Sequence, residues 1–173
     1  MKKLVYAIVA LATLTLASCE KDPIGGTATE KMAGQWYVEC IAIDGDGTVL
    51  YEDADLFGIG KFWLLTFNTA ANNKDTLFIQ DVDGACWDFK LKVACDQAAD
   101  TFGIIAGENL QYAPCNADVT NGKILRGAGK TPSGAPADSI VFDILFDDDS
   151  NAGVYYDRLR ITGIRYTGLV NDD

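Results

Sequence analysis

The chain has 173 residues, 49% hydrophobic and 23% charged, with a formal net charge of −11 and no histidine. That composition belongs to a folded globular protein, and its acidity excludes the basic face a phosphate backbone needs, so nucleic acid is not an expected partner. Without His the usual general base, the Ser–His and Cys–His dyads and the commonest transition-metal ligand are gone, so catalysis is the less favoured reading and neither a metal nor a cofactor is expected.

The first residues read as an address. Met1-Lys2-Lys3 is basic, residues 4–16 carry no charge, and Leu16-Ala17-Ser18-Cys19 sets small residues ahead of a cysteine. Residues 1–18 therefore read as an export signal and not as a transmembrane helix. The quartet ending in Cys19 resembles a bacterial lipobox, in which the peptide is cut before the cysteine and the thiol takes a diacylglycerol. This resemblance implies lipid attachment at Cys19 and a membrane partner through the acyl anchor; a plain secretory signal cleaved nearby is the alternative. Losing residues 1–18 removes two lysines and no acid, which leaves 12 − 25 = −13. Residues 19–33, polar and broken by Pro23, Gly25 and Gly26, are expected to be a tether. The acidic start, Glu20 and Asp22, resembles lipoprotein-export signals for surface display. The expected location is an outer-membrane lipoprotein, on the periplasmic face or at the cell surface.

From Gly34 onward the apolar period is two, with Gly, Asn and Asp clusters at short intervals, which predicts an all-β domain over 34–173. Trp87, Phe89, Leu91 and Val93 share one face of a strand and Asp88, Lys90 and Lys92 the other. Ile140, Phe142, Ile144 and Phe146 repeat the pattern. Nine segments read as strands: 35–43, 61–68, 76–81, 87–93, 101–105, 109–113, 119–125, 139–147 and 153–167. Asp44-Gly45-Asp46-Gly47, Asp83-Gly84 and Asn121-Gly122 read as tight turns between them. A meander of about eight antiparallel strands leaves two exposed edges unless it closes, so an up-and-down barrel is preferred, with a β-sandwich as the alternative.

Beyond Cys19 stand Cys40, Cys86, Cys95 and Cys115, which allow three pairings in a disulfide-permissive compartment. Cys86 and Cys95 lie an odd number of residues apart in what reads as one strand, so they point to opposite faces and their mutual bond is disfavoured. Four buried thiols are the alternative.

If Trp36, Val38, Trp87, Phe89, Leu91, Phe142, Ile144, Leu159 and Ile161 point into one barrel, they either line a space for a small hydrophobic or lipidic ligand or fill it as a core. On the outer face, Phe62, Trp63, Phe78, Tyr155 and Tyr156 would suit contact with a glycan or a protein; ordinary packing is the alternative. Carboxylates gather at Asp44/Asp46, Glu52/Asp53/Asp55, Asp81/Asp83 and Asp147/Asp148/Asp149. None follows the EF-hand spacing, and Asp-Gly pairs between strands are ordinarily turns.

Gly34-Gln35-Trp36 resembles the entrance of lipocalin and calycin barrels. The segments opening Thr66-Phe67-Asn68, Trp87-Asp88-Phe89, Asn121-Gly122-Lys123, Thr131-Pro132-Ser133-Gly134, Asp138-Ser139-Ile140 and Thr162-Gly163-Ile164-Arg165-Tyr166 are together similar to a Bacteroidetes lipoprotein family, the lipid-binding putative hydrolases. The resemblance implies a lipocalin-like, lipid-anchored barrel that binds lipids or other apolar molecules. It also implies that Arg165 packs across Trp36; a solvated cation beside Arg158 and Arg160 is the alternative. It supplies no catalytic set, because Ser133 and Ser139 have no histidine to activate them and no Gly-x-Ser-x-Gly elbow is present. Hydrolysis of an unknown substrate rests on the family's label.

Overall fold

The structure, a computed structural model, describes residues 26–51, 55 and 58–168. The expected signal and the attachment site at Cys19 lie outside the described residues. Eight strands follow in order: β1 (Gly34–Ile43), β2 (Phe62–Asn68), β3 (Thr76–Asp81), β4 (Lys90–Asp96), β5 (Thr101–Glu108), β6 (Asn116–Lys130), β7 (Pro136–Phe146) and β8 (Arg158–Arg165). Each pairs antiparallel with the next, and β8 returns to β1 in an unbroken register running from Trp36 opposite Arg165 to Ile43 opposite Arg158. The sheet is a closed up-and-down barrel, which removes both exposed edges and rules out the sandwich.

Strand alternation sets what the barrel holds. Trp36, Val38, Cys40 and Ala42 of β1 are buried, as are Leu91 and Val93 of β4 and Ile140, Phe142, Ile144 and Phe146 of β7. Because the period is two, a slip of one residue in any of these strands would turn its apolar set out to water and its charges in, so the hydrophobic pattern holds the register.

The structure departs from the sequence expectations where side chains take over backbone hydrogen bonding. Segment 109–113 is not a strand: Asn109 Oδ1 accepts from the N–H groups of Lys90 and Gln111, and its amide donates to the Asp88 carbonyl, which bends the chain away after a single bridge to Leu91. Asn121-Gly122 is not a turn but a bulge inside β6. The register shifts between Thr120 and Lys123, and Asn121 has φ 56°. The positive φ that suggests a hairpin turn is equally what a bulge requires. The fourth strand begins at Lys90 rather than at Trp87, so Cys86 lies in the preceding loop and does not share a strand with Cys95. The last begins at Arg158, after turns over 151–155.

Candidate functional site

One end of the barrel is plugged. The Trp36 indole N–H donates to Thr66 Oγ1 at 2.8 Å, and that hydroxyl donates to the Met32 carbonyl at 2.6 Å. Thr29 and Met32, in the turns that precede β1, are fully buried. The Arg165 guanidinium lies 4.8 Å from the centre of the Trp36 ring and donates to the Lys31 carbonyl at 3.3 Å. Gly34 makes room for it: a Cβ there would sit 3.3 Å from the Arg165 guanidinium carbon. The Gly-x-Trp motif and the final arginine thus form one closure.

The residues expected to line a ligand space do meet inside the barrel, but they fill it. Trp36, Val38, Phe89, Leu91, Phe142, Ile144 and Ile161 are at 0% exposure and Leu159 at 3%. At zero exposure no water-sized sphere touches a side chain, so the first seven form a packed core, and Leu159 borders it at the far mouth. Phe102 meets Phe142 edge-on at 5.6 Å, and Phe89 meets Phe146 at 5.7 Å. Trp87 is the exception. It lies at the other end, its ring stacked on Phe146 at 4.8 Å and 11°.

That end is formed by four loops, the described parts of the first (44–51, 55 and 58–61) and 82–89, 109–115 and 147–157, because in an up-and-down barrel alternate connections share an end. The 82–89 loop is folded around Asp81, the last inward residue of β3. Its carboxylate accepts from the N–H groups of Asp83, Cys86 and Trp87 at 3.2, 2.9 and 3.3 Å. Burial raises the Asp81 carboxyl above its ordinary range against the pull of these donors. Trp87 Nε1 donates to the Tyr112 hydroxyl at 2.7 Å, which donates to Asp148 at 2.9 Å, so three loops are tied in one chain. In the 147–157 loop Tyr156 donates to the buried Asp149 at 2.7 Å. Burial and then that hydrogen bond push the phenol above its usual value, so it stays a donor.

Between the 82–89 and 147–157 loops lies a cleft of about 270 Å³, lined by Ile59, Ala85, Cys86, Trp87, Tyr156 and Leu159, with Asn151 as its polar side. Small-molecule sites span about 300–1,000 Å³, so this cleft takes a single short chain or ring, not a whole diacyl lipid. The loops at this end, the rim of the barrel mouth, expose apolar side chains: Val49, Leu50, Val82, Leu110, Tyr112, Val154 and Tyr155. The rim is also acidic. Asp46, Asp83, Asp88, Asp147, Asp148 and Asp157 are exposed there, and among the described residues of these loops Lys61 is the one cation.

The cysteines separate. Cys40 Sγ and Cys86 Sγ are 2.7 Å apart beneath the cleft. Cys115 sits beside Asp148 at 3.4 Å, whereas Cys95 is at the opposite end of β4 near the Lys74 carbonyl at 3.7 Å. Cys115, Asp147 and Asp148 bring ligand atoms within 4.8 Å of one another, but Asp147 is engaged by Asn116 and Asp148 by Tyr112. Of the expected outer aromatics, Trp63 and Phe78 do face outward, where Trp63 packs against Tyr37 at 4.9 Å and Tyr166 at 5.1 Å. Tyr155 is exposed on the rim, whereas Phe62 and Tyr156 are buried at 4% and 5%. Phe62 has the parity of Leu64 and Thr66, which points it inward.

Sequence reasoning did not single out Asp81, Ile59 or Ala85 for the mouth, nor Tyr156 for an inward role. Asp81 had a readable signal, a carboxylate continuing the inward parity of Leu77 and Ile79. Ile59 and Ala85 lie in irregular loops, where periodicity carries no information.

No curated protein matches the chain. A family model described as lipid-binding putative hydrolase matches residues 21–170, a span that takes in all eight strands. The chain, a closed barrel with a packed interior and an apolar cleft at one mouth, therefore belongs to the family of lipid-binding putative hydrolases.

Proposed function

We propose that this protein binds one apolar chain of a small neutral or cationic amphiphile in the mouth cleft, and that it does so from the cell envelope, anchored through Cys19. The observation that carries the ligand reading is the coincidence of the apolar cleft at Trp87 with an exposed apolar rim on the same four loops of a lipid-binding family member. Burying the chain supplies about 25 cal/mol per Å² before association costs. The rim's carboxylates select the head group. Two or three of them at roughly 8 Å, each worth about 0.2–0.3 kcal/mol once physiological salt screens it, attract a cation and repel an anion, a difference of roughly 1–1.5 kcal/mol that favours the cation about tenfold. The envelope reading rests on the order basic start, uncharged run, Leu-Ala-Ser-Cys.

The test is titration of the full chain with decylamine, decanol and decanoate, followed by tryptophan fluorescence. Decylamine and decanol are expected to bind, decanoate about tenfold more weakly than decylamine, and Trp87→Ala to abolish the signal. Decanoate binding best, or no binding by any of the three, overturns the proposal. A second reading is favoured by the Tyr37–Trp63–Tyr166 cluster on the outer wall, where Tyr37 is 37% exposed: aromatic faces of this kind suit a glycan or a protein surface. Loss of glycan capture in Trp63→Ala, with decylamine binding intact, would favour it.

A further inference from the structure

Cys40 points inward from β1, 4% exposed, and Cys86 descends toward it from the 82–89 loop until the sulfurs are 2.7 Å apart. Neither of the remaining cysteines of the barrel competes. Cys95 is at the opposite end, and Cys115 is engaged with Asn109 and Asp148. Apart from these sulfurs, the loop is held from below by the hydrogen bonds that Asp81 accepts, and Cys86 is also part of the cleft wall. We propose that Cys40 and Cys86 join in a disulfide that fastens the 82–89 loop to β1 and forms the floor of the mouth cleft, while Cys95 and Cys115 stay as thiols. The bond stands apart from the ligand reading; its consequence for the cleft rests on that reading.

Formation needs a disulfide-class oxidant. During folding, while the loop is open, the thiolate of one cysteine attacks a sulfur of the oxidant, giving a mixed disulfide and releasing one thiolate. The second cysteine then attacks the protein sulfur of that mixed disulfide and releases the other. The S–S bond of the oxidant breaks, the Cys40–Cys86 bond forms, and the two thiol protons pass to the two leaving thiolates. Once folded, the pair is a clamp and not an exchange catalyst. The contact with Cys40, burial and the carboxylates of Asp81 and Asp149 hold the Cys86 thiol well above the ordinary range, so Cys86 is a poor leaving thiolate and exchange at this pair is slow.

The full chain is purified without reductant, denatured, alkylated and digested for mass spectrometry. The proposal expects the Cys40 and Cys86 peptides as one linked species, lighter by two hydrogens than the pair, with Cys95 and Cys115 alkylated. Alkylation of Cys40 or Cys86 without reductant, or a link from either to Cys95 or Cys115, overturns it. Hydrogen exchange then reads the fastening: the amides of residues 85–88 are expected to exchange about tenfold faster both in Cys86→Ser and in the wild type after reduction. A linked pair whose reduction leaves exchange unchanged overturns the clamp. Faster exchange with decylamine binding unaltered keeps the bond and removes the cleft from the ligand reading.

Discussion

The guanidinium of Arg165 lies over the ring of Trp36, 4.8 Å from its centre, and the two residues face each other as Cα partners across the β1–β8 seam. The contact therefore sits where the barrel closes, and the first and last strands share one plug. Burial lowers the Arg165 pKa from its usual value, opposed by nearby Asp138, and the arginine stays charged. A double-mutant cycle of Arg165→Ala and Trp36→Leu, read by urea denaturation, is expected to give a coupling of about 0.5–2 kcal/mol. Additive losses would mean that ring and guanidinium do not work together.

On the outer wall of β7, Asp143 accepts from Arg160 Nε at 2.7 Å and Nη2 at 3.1 Å and from the Asn121 amide at 2.8 Å, with its side chain 3% exposed. Burial raises this carboxyl, but the Arg160 and Asn121 hydrogen bonds outweigh it and leave it below the ordinary range. Asp138 is lowered too, by the Gly127 N–H and Arg126 against burial. A depressed carboxyl stabilises the fold fully above its unfolded value of about 3.9 and loses that contribution as pH falls through the folded value. Asp81, raised, acts in the opposite sense and loses its contribution as pH rises. Thermal melts from about pH 5 down to about pH 2.5 are expected to show falling stability, with a shallower slope in Asp143→Asn. That variant costs about 1–3 kcal/mol near neutrality.

Core and cleft separate by mutation. Phe142→Ala, deep in the packed interior, is expected to cost about 3–5 kcal/mol with decylamine affinity kept in the fraction that remains folded. Trp87→Ala is expected to lose the ligand at a smaller stability cost, because Trp87 is only partly buried. Denaturation and titration of both variants check this, and equal losses of affinity in the two would contradict it.

Attachment through Cys19 predicts that cells expressing the chain and fed labelled palmitate incorporate label into it, and that Cys19→Ala abolishes the label and releases the protein from membranes. Label retained in Cys19→Ala would remove the anchor.

Most of the barrel was legible because alternation is a local code: Phe89, Leu91 and Val93, or Ile140 through Phe146, declare their face within a few residues. What escaped is set by long-range geometry. A positive φ at Asn121 is written the same way for a turn and for a bulge, and the partner strand decides between them; a Cβ on Gly122 would collide with the Phe102 carbonyl of β5. The same holds for the site. The lining residues were readable as inward-facing, but whether their rings leave a space depends on how Phe89, Phe102, Phe142 and Phe146 interlock across the barrel. The cleft forms instead between two irregular loops, neither of which has a period to read.

The claim on which the account depends is that the ligand sits at the mouth and not within the barrel. Methyl-labelled protein titrated with decylamine and observed by NMR tests it directly. The methyl signals of Ile59, Ala85 and Leu159 are expected to shift and to show contacts with the decyl chain, while those of Leu91, Ile140 and Ile144 stay in place. Contacts from the chain to Leu91 or Ile144 would contradict the account and place the guest inside the barrel.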